Sequence, residues 1–138
     1  MAEVTQLRVL DAVETLLKTA LADVEVVRND FTLADPEAAQ RIHMIDGDPG
    51  EPTEILLGGR HKSYRHEIAL EITGPSVEAP GNLHALHGRI RTAVLGNRFL
   101  GGLVDFLDLT ELAGALMPVS ETEALFTGTA SLIAEYTL

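Results

Sequence analysis

Cysteine and tryptophan are absent from this 138-residue chain, and aromatic residues make up only 4% of it. Without cysteine there can be no disulfide framework, no thiol nucleophile and no cysteine-ligated zinc. The few aromatics leave little for base stacking or an aromatic cage. Cations are scarce as well: 10 Lys and Arg stand against 21 Asp and Glu, for a net charge of -11. A nucleic-acid backbone would meet net repulsion, which argues against a DNA-coating role. No apolar run approaches the roughly 18 residues of a membrane span. Met1-Ala2-Glu3-Val4 has neither a basic nor a long apolar leader character, and Asn29, Asn82 and Asn97 begin no glycosylation acceptor. These absences lead to the expectation of a soluble, intracellular protein.

What is present reads as globular. Hydrophobic residues are 46% and charged residues 22%, enough for one domain over 1–138 with its own core. No repeat and no linker divides the chain. Val4, Leu7, Leu10, Val13, Leu17 and Leu21 recur at helical steps and predict a first helix. Glu14 and Lys18 on it form a favourable i,i+4 pair. Short strands are expected at Val24–Arg28, Arg41–Ile45 and Glu54–Leu57, with one helical turn at Glu37–Gln40. Tyr64 to Thr73 is the clearest strand. Tyr64, His66, Ile68, Leu70 and Ile72 share one face, while Arg65, Glu67, Ala69, Glu71 and Thr73 share the other. A second helix is expected over Asn82–Leu95, with Leu83, Leu86, Ile90 and Val94 buried. Leu103–Met117 suits strand in its first half and tolerates helix at Leu112–Leu116. Thr127–Leu138 closes the chain as a strand with Ala130, Leu132, Ala134, Tyr136 and Leu138 on one face. The expected fold is α+β: an antiparallel or mixed sheet of about five to six strands with two main helices on one face.

Few residue groups point to chemistry. His84 and His87 lie three apart on the second helix, a spacing zinc can use, but neither a third ligand nor an HExxH motif accompanies them. The plainer reading is two semi-exposed helix histidines. Asp46-Gly47-Asp48 with Glu51 resembles the start of a calcium loop. Gly50, Glu51 and Leu57 stand at the fifth, sixth and twelfth positions, where the loop needs other residues, so an acidic turn is expected. Arg60, His61, Lys62, Ser63, Tyr64, Arg65 and His66 form the only basic cluster. A hydrolase would need Ser63 and His66 together, yet an alternating strand aims them at opposite faces. Gly58-Gly59 and Gly101-Gly102 match no phosphate loop and read as turns. No catalytic residue, metal or cofactor is expected. A small enzyme or ligand-binding domain using His43, His66 or the acidic turn is the alternative from a different class.

Several segments together resemble phage tail terminators of the lambda minor-tail-protein-U type. They are the amphipathic first helix, the alternating strand Tyr64–Ile72, the second helix running into Asn97-Arg98-Phe99-Leu100-Gly101-Gly102-Leu103-Val104, and the closing Ala130–Thr137 strand. The resemblance covers most of the chain and includes no catalytic motif. It implies a structural α+β subunit of phage or prophage origin that assembles as a hexameric ring. The ring would cap the tail tube, end its polymerisation and offer a surface to the head-completion protein. The expected partners are further copies of itself, the tail tube protein and the head-completion protein. The expected location is the virion tail, after assembly in the bacterial cytoplasm. DNA would pass an acidic lumen without specific binding, because like charges repel. Another neck or connector component of the same particle is the nearest alternative. By opposite charge alone, Arg60, His61, Lys62 and Arg65 of one subunit are expected to face Asp46, Asp48 and Glu51 of the next.

Overall fold

A computed structural model describes residues 2–29, 41–55, 61–75, 79–118 and 125–137. In chain order it has helix α1 (Ala2–Ala20), then strands β1 (Glu25–Arg28), β2 (Arg41–Ile45), β3 (Glu54–Ile55) and β4 (Lys62–Pro75). Helix α2 (Ala79–Gly96) and a 3-10 turn (Leu100–Gly102) follow. Strands β5 (Phe106–Leu109), β6 (Ala113–Pro118) and β7 (Leu125–Thr137) complete it. The α+β class expected from the sequence is the one observed. The expected turn at Glu37–Gln40 and residues 56–60 lie outside the described residues.

Seven strands form one mixed sheet with the order β1-β2-β4-β7-β5, while β3 also pairs β4 and β6 also pairs β7. Two long strands explain why seven strands occupy only five positions across. β4 and β7 pair antiparallel over the whole stretch from Ser63↔Thr137 to Pro75↔Leu125. Each then carries two short strands end to end on its other edge. β2 lies along 69–73 of β4 and β3 along 62–63, whereas β5 lies along 132–135 of β7 and β6 along 126–129. β1 adds to β2 in parallel, and every other pairing is antiparallel.

The period-2 pattern decides which face is sealed. His66, Ile68, Leu70 and Ile72 of β4, with Ala130, Leu132, Ala134 and Tyr136 of β7, are buried, as the sequence predicts. They join Ile42, Met44, Leu107 and Leu109 from flanking strands, and Val13, Leu17, Leu83, Leu86, Ile90 and Val94 from the helices, in one cluster. Both helices therefore close the same side of the sheet. Leu7 departs from the expected helix stripe: it is 53% exposed, and Val9 is buried in its stead. Two successive three-residue steps turn Leu7 about 120° away from Val13, since each residue advances about 100°. The ambiguous stretch resolves as strand. β7 offers its free edge to both halves, and the helix tolerated at Leu112–Leu116 gives way to β6.

The turn after α2 is backbone-strained. Leu100 (φ 43°), Gly101 (φ 67°) and Gly102 (φ 95°) are consecutive left-handed residues. Glycine enters this region freely, leucine does not. The conformation sends half-buried Leu100 against the core and leaves Phe99 62% exposed.

Replacing fully buried Leu70 with Ala should lower the unfolding free energy by about 2–5 kcal/mol, whereas exposed Glu67→Ala on the other face of the same strand should change it by less than about 1 kcal/mol. Urea denaturation of the two variants checks this. Similar losses would mean that the sealed and open faces of β4 are misassigned.

Candidate functional site: the polar seam and the open sheet face

Arg28 at the end of β1 is the most connected charge in the described structure. Its Nε and Nη2 donate to the two carboxylate oxygens of Asp46, each at 2.7 Å. Its Nη1 donates to Asp11 Oδ1 at 2.6 Å and to Glu14 Oε1 at 3.3 Å. One guanidinium thus ties α1, β1 and the acidic turn together, and its planar fork makes the bidentate pair possible. Arg28 holds the Asp46 carboxyl below its ordinary value, against the opposing effect of burial, and Asn29 adds to the lowering. Asn29, itself at φ 51°, accepts the Asp46 backbone N–H on its side-chain oxygen.

The other side of Asp46 meets the core. His66, 1% exposed, brings its Nε2 to 2.6 Å from the Asp46 carbonyl oxygen. A carbonyl only accepts, so Nε2 carries the proton. In the neutral ring Nδ1 is then an acceptor, and the Tyr136 hydroxyl donates to it across 3.2 Å. Burial, with Tyr64 and Asp48 nearby, pushes the Tyr136 phenol up to about 12. Tyr64 stacks on Tyr136 at 5.9 Å between ring centroids. Gly47 lets the turn lie this close. It has φ +65°, and a β-carbon there would come 3.1 Å from the Glu67 carbonyl oxygen.

The histidine pair on α2 divides. His84 is exposed, but His87 is buried and donates from Nε2 to the Thr110 carbonyl at 2.7 Å. The semi-exposed placement expected for both thus holds only for His84. Thr110 lies where β5 ends, so its carbonyl is free to turn toward the helix. Its hydroxyl accepts the Ser131 N–H in that carbonyl's place. Among the described residues, no group of three or more potential ligands is arranged to hold a metal ion, and no helix is long and apolar enough to cross a membrane.

The charged residues singled out in the sequence do not form one cluster. Asp46 is engaged within the chain by Arg28, and Arg65 pairs with Glu67 at 2.6 Å on the same strand. His61, Lys62, Asp48 and Glu51 are exposed, with Asp48 accepting the Gly50 N–H at 2.7 Å. Arg60 lies outside the described residues. Ser63 points away from His66 and bonds Thr137 across the strands at 3.0 Å. His43 is buried on the sheet face opposite the helices, 3.2 Å from Glu71.

That opposite face is the broadest feature the helices leave open. Arg65, Glu67, Glu71, Thr129 and Glu135 are exposed on it, around buried Ile133. Sequence reasoning found this face through alternation but missed the Arg28 hub. Asp11 and Glu14 of α1, Arg28 of β1 and Asp46 of the acidic turn come from three segments with no shared motif.

No family model matches the chain, and no curated protein matches it. A solved structure whose name carries no functional word aligns over 92% of this chain and 93% of its own length. Its identity is 13% and its TM-score 0.47, a likeness too weak to carry an argument.

Two pH limits follow. Asp46 titrates lower when folded than its ordinary 3.8, so its contribution is complete above that pH and is lost as the pH falls further. Tyr136 titrates higher when folded, so its contribution is complete below pH 10 and is lost as the pH rises toward 12. Asp46→Asn should flatten the acid limb of a stability–pH curve, and Tyr136→Phe the alkaline limb. Tyr136→Phe should also cost about 1 kcal/mol near neutral pH, because His66 Nδ1 loses its donor. Denaturant midpoints across pH test both; limbs that match the native chain's would show that the seam is not the linked element.

Proposed function

We propose that this chain is a structural assembly subunit, a tail-terminator-like protein that forms a ring on a phage tail tube and ends its growth. The observation that carries the reading is the division of the sheet. Both helices seal one face, while the other presents a grid of exposed charged and polar side chains on the two longest strands. A surface so ordered and so wide suits contact with another protein better than it suits a small molecule, which needs a concave apolar site. The sequence resemblance supplies the particular role, and the α+β class fits it. Glu67, Glu71 and Glu135 outnumber Arg65 on this face, so a ring lined by it would repel passing DNA. The catalytic alternative has less to build on, since His66 is sealed in the core with both ring nitrogens bonded.

In this reading the virion tail is where the protein acts. Its partners are further copies of itself, the tube protein below and the head-completion protein above. Exposed Lys62 and His61 remain available to the Asp48 and Glu51 side of a neighbour, whereas Asp46 and Arg65 already have partners within the chain. Rim charges contribute only about 0–1 kcal/mol each, so apolar contact must supply most of the ring's stability.

Deleting the gene from its phage should give tails of indefinite length in electron micrographs, and supplying the native chain should restore a uniform length. Tails of normal length in the deletion would end the reading. Reversing Arg60 and Lys62 together to Glu should weaken association and change its salt dependence; unchanged sedimentation would remove the charge pairing.

A further inference from the structure

Among the described residues the sheet ends at β1 and β3 on one side and at β5 and β6 on the other, and β1 and β5 are the two at the ends of its longest path. Both are four residues long. Their directions follow from the ladder. β1 runs with β2, β2 against β4, β4 against β7, and β7 against β5. β1 and β5 therefore run in opposite senses. A second copy placed head to tail would bring its β1 beside β5 in the antiparallel sense, the more stable pairing.

The side chains agree. Glu25 and Phe106 lie on the same face, the one opposite α1 and α2, since each is in register with residues of that face: Glu25 with Arg41, and Phe106 with Glu135. Glu25 is exposed and forms no ion pair among the described residues. Arg98 lies over the Phe106 ring at 4.6 Å. Its Nε is buried without a hydrogen-bond partner, and its nearest carboxylate oxygen, on Asp108, is 4.0 Å from Nη2. A cation with one long ion pair and an unpartnered Nε thus stands at one edge, and a carboxylate with no ion pair among the described residues at the other.

The ladder also selects the end of β5 that is open. Thr110 donates to Ser131, which turns the even-numbered residues of β5 toward β7 and the odd-numbered ones outward. The outward N–H of Leu109 is already taken by the Asp108 carboxylate at 2.9 Å. That leaves the Leu107 end, the end beside Phe106 and Arg98. Leu95, 53% exposed, lines the groove between α2 and this strand together with Arg91, Asp108 and Leu109, and adds apolar area there.

The geometry points to strand addition between copies: β1 of one subunit extends the sheet of the next at β5, with Glu25 meeting Arg98. The contact is heterologous, so it closes into a ring where the rotation permits. A four-residue edge falls well short of the about 800 Å² per partner of a standard interface, so one such contact holds weakly alone. The choice of a second copy as occupant rests on the ring reading above.

Because the native chain has no cysteine, a chain carrying Glu25→Cys and Arg98→Cys reports this contact alone. A short bis-maleimide is applied to purified protein and to tails assembled with the variant, and rings are imaged in parallel. A ladder of linked subunits is expected, with each single variant remaining monomeric on a denaturing gel. Rings that form but stay unlinked would overturn the edge contact and leave the ring reading standing. Absence of rings on tails built with the native chain would overturn both. Glu25→Arg and Arg98→Glu should each reduce association several-fold, and the two together should recover it. Failure of the swap to recover what the single changes lose would also count against the pairing.

Discussion

The pairing of β4 with β7 is the constraint on which the other elements depend. These strands are 14 and 13 residues long, against two to six for every other strand. They are in register for nearly their whole length, so each fixes which face the other buries. A slip of β7 by one residue would carry Leu132 and Tyr136 to the charged face, away from Ile68, Leu70 and Ile72 of β4. The short strands have no comparable means of setting their own register. They take it from the long edges they join, and the helices take their place from the apolar face that results.

The polar seam serves the same arrangement at one end of the sheet. A buried histidine is tolerable only where each nitrogen has a partner, since an unsatisfied polar group in the interior costs about 1–3 kcal/mol. His66 meets that condition through Tyr136 on β7 and the Asp46 carbonyl after β2, so it locks three segments at once. Arg28 extends the lock to α1 through Asp11 and Glu14. The acidic turn is consequently a fixed feature of the molecule, and its charge is partly used to hold the fold. This divides the acidic residues into two kinds. Asp46 is structural, whereas Asp48 and Glu51 stay exposed beyond it.

Most of the fold was legible in the sequence because its main signals are local. Alternation gave the sealed faces of β4 and β7, and helical spacing gave Leu83, Leu86, Ile90 and Val94 of α2. The misses came where a long-range partner decided the outcome. Leu103–Met117 reads two ways until β7 supplies an edge. His87 looks like a surface histidine until Thr110 supplies a carbonyl. Leu7 fits an apolar stripe by spacing, but the angle around the helix carries it off the sheet. The Arg28 hub is invisible for the same reason. Ionic partners drawn from two other segments leave no periodicity, and any of ten cations could have been chosen on charge alone. Arg65, by contrast, stood out as part of a basic cluster and proves to be paired with Glu67 on its own strand.

The ring subunit proposed above would also have to avoid associating too early. Each copy carries a net charge of -11, so approaching copies repel. At physiological salt the Debye length is about 8 Å, which confines that repulsion to close approach without removing it. The edges are restrained as well: both are short, and Asp108 already occupies one outward N–H of β5. Short strands and charged edge residues are the means by which sheets resist unwanted pairing. Such edges hold poorly in dilute solution. They hold well when several contacts form together, because each closed contact raises the effective concentration of the next. In the proposed function, a tube end that gathers copies side by side would supply that condition. In the proposed ring, the same weakness that would keep the free chain from polymerising would let the ring form where a template has already placed its members.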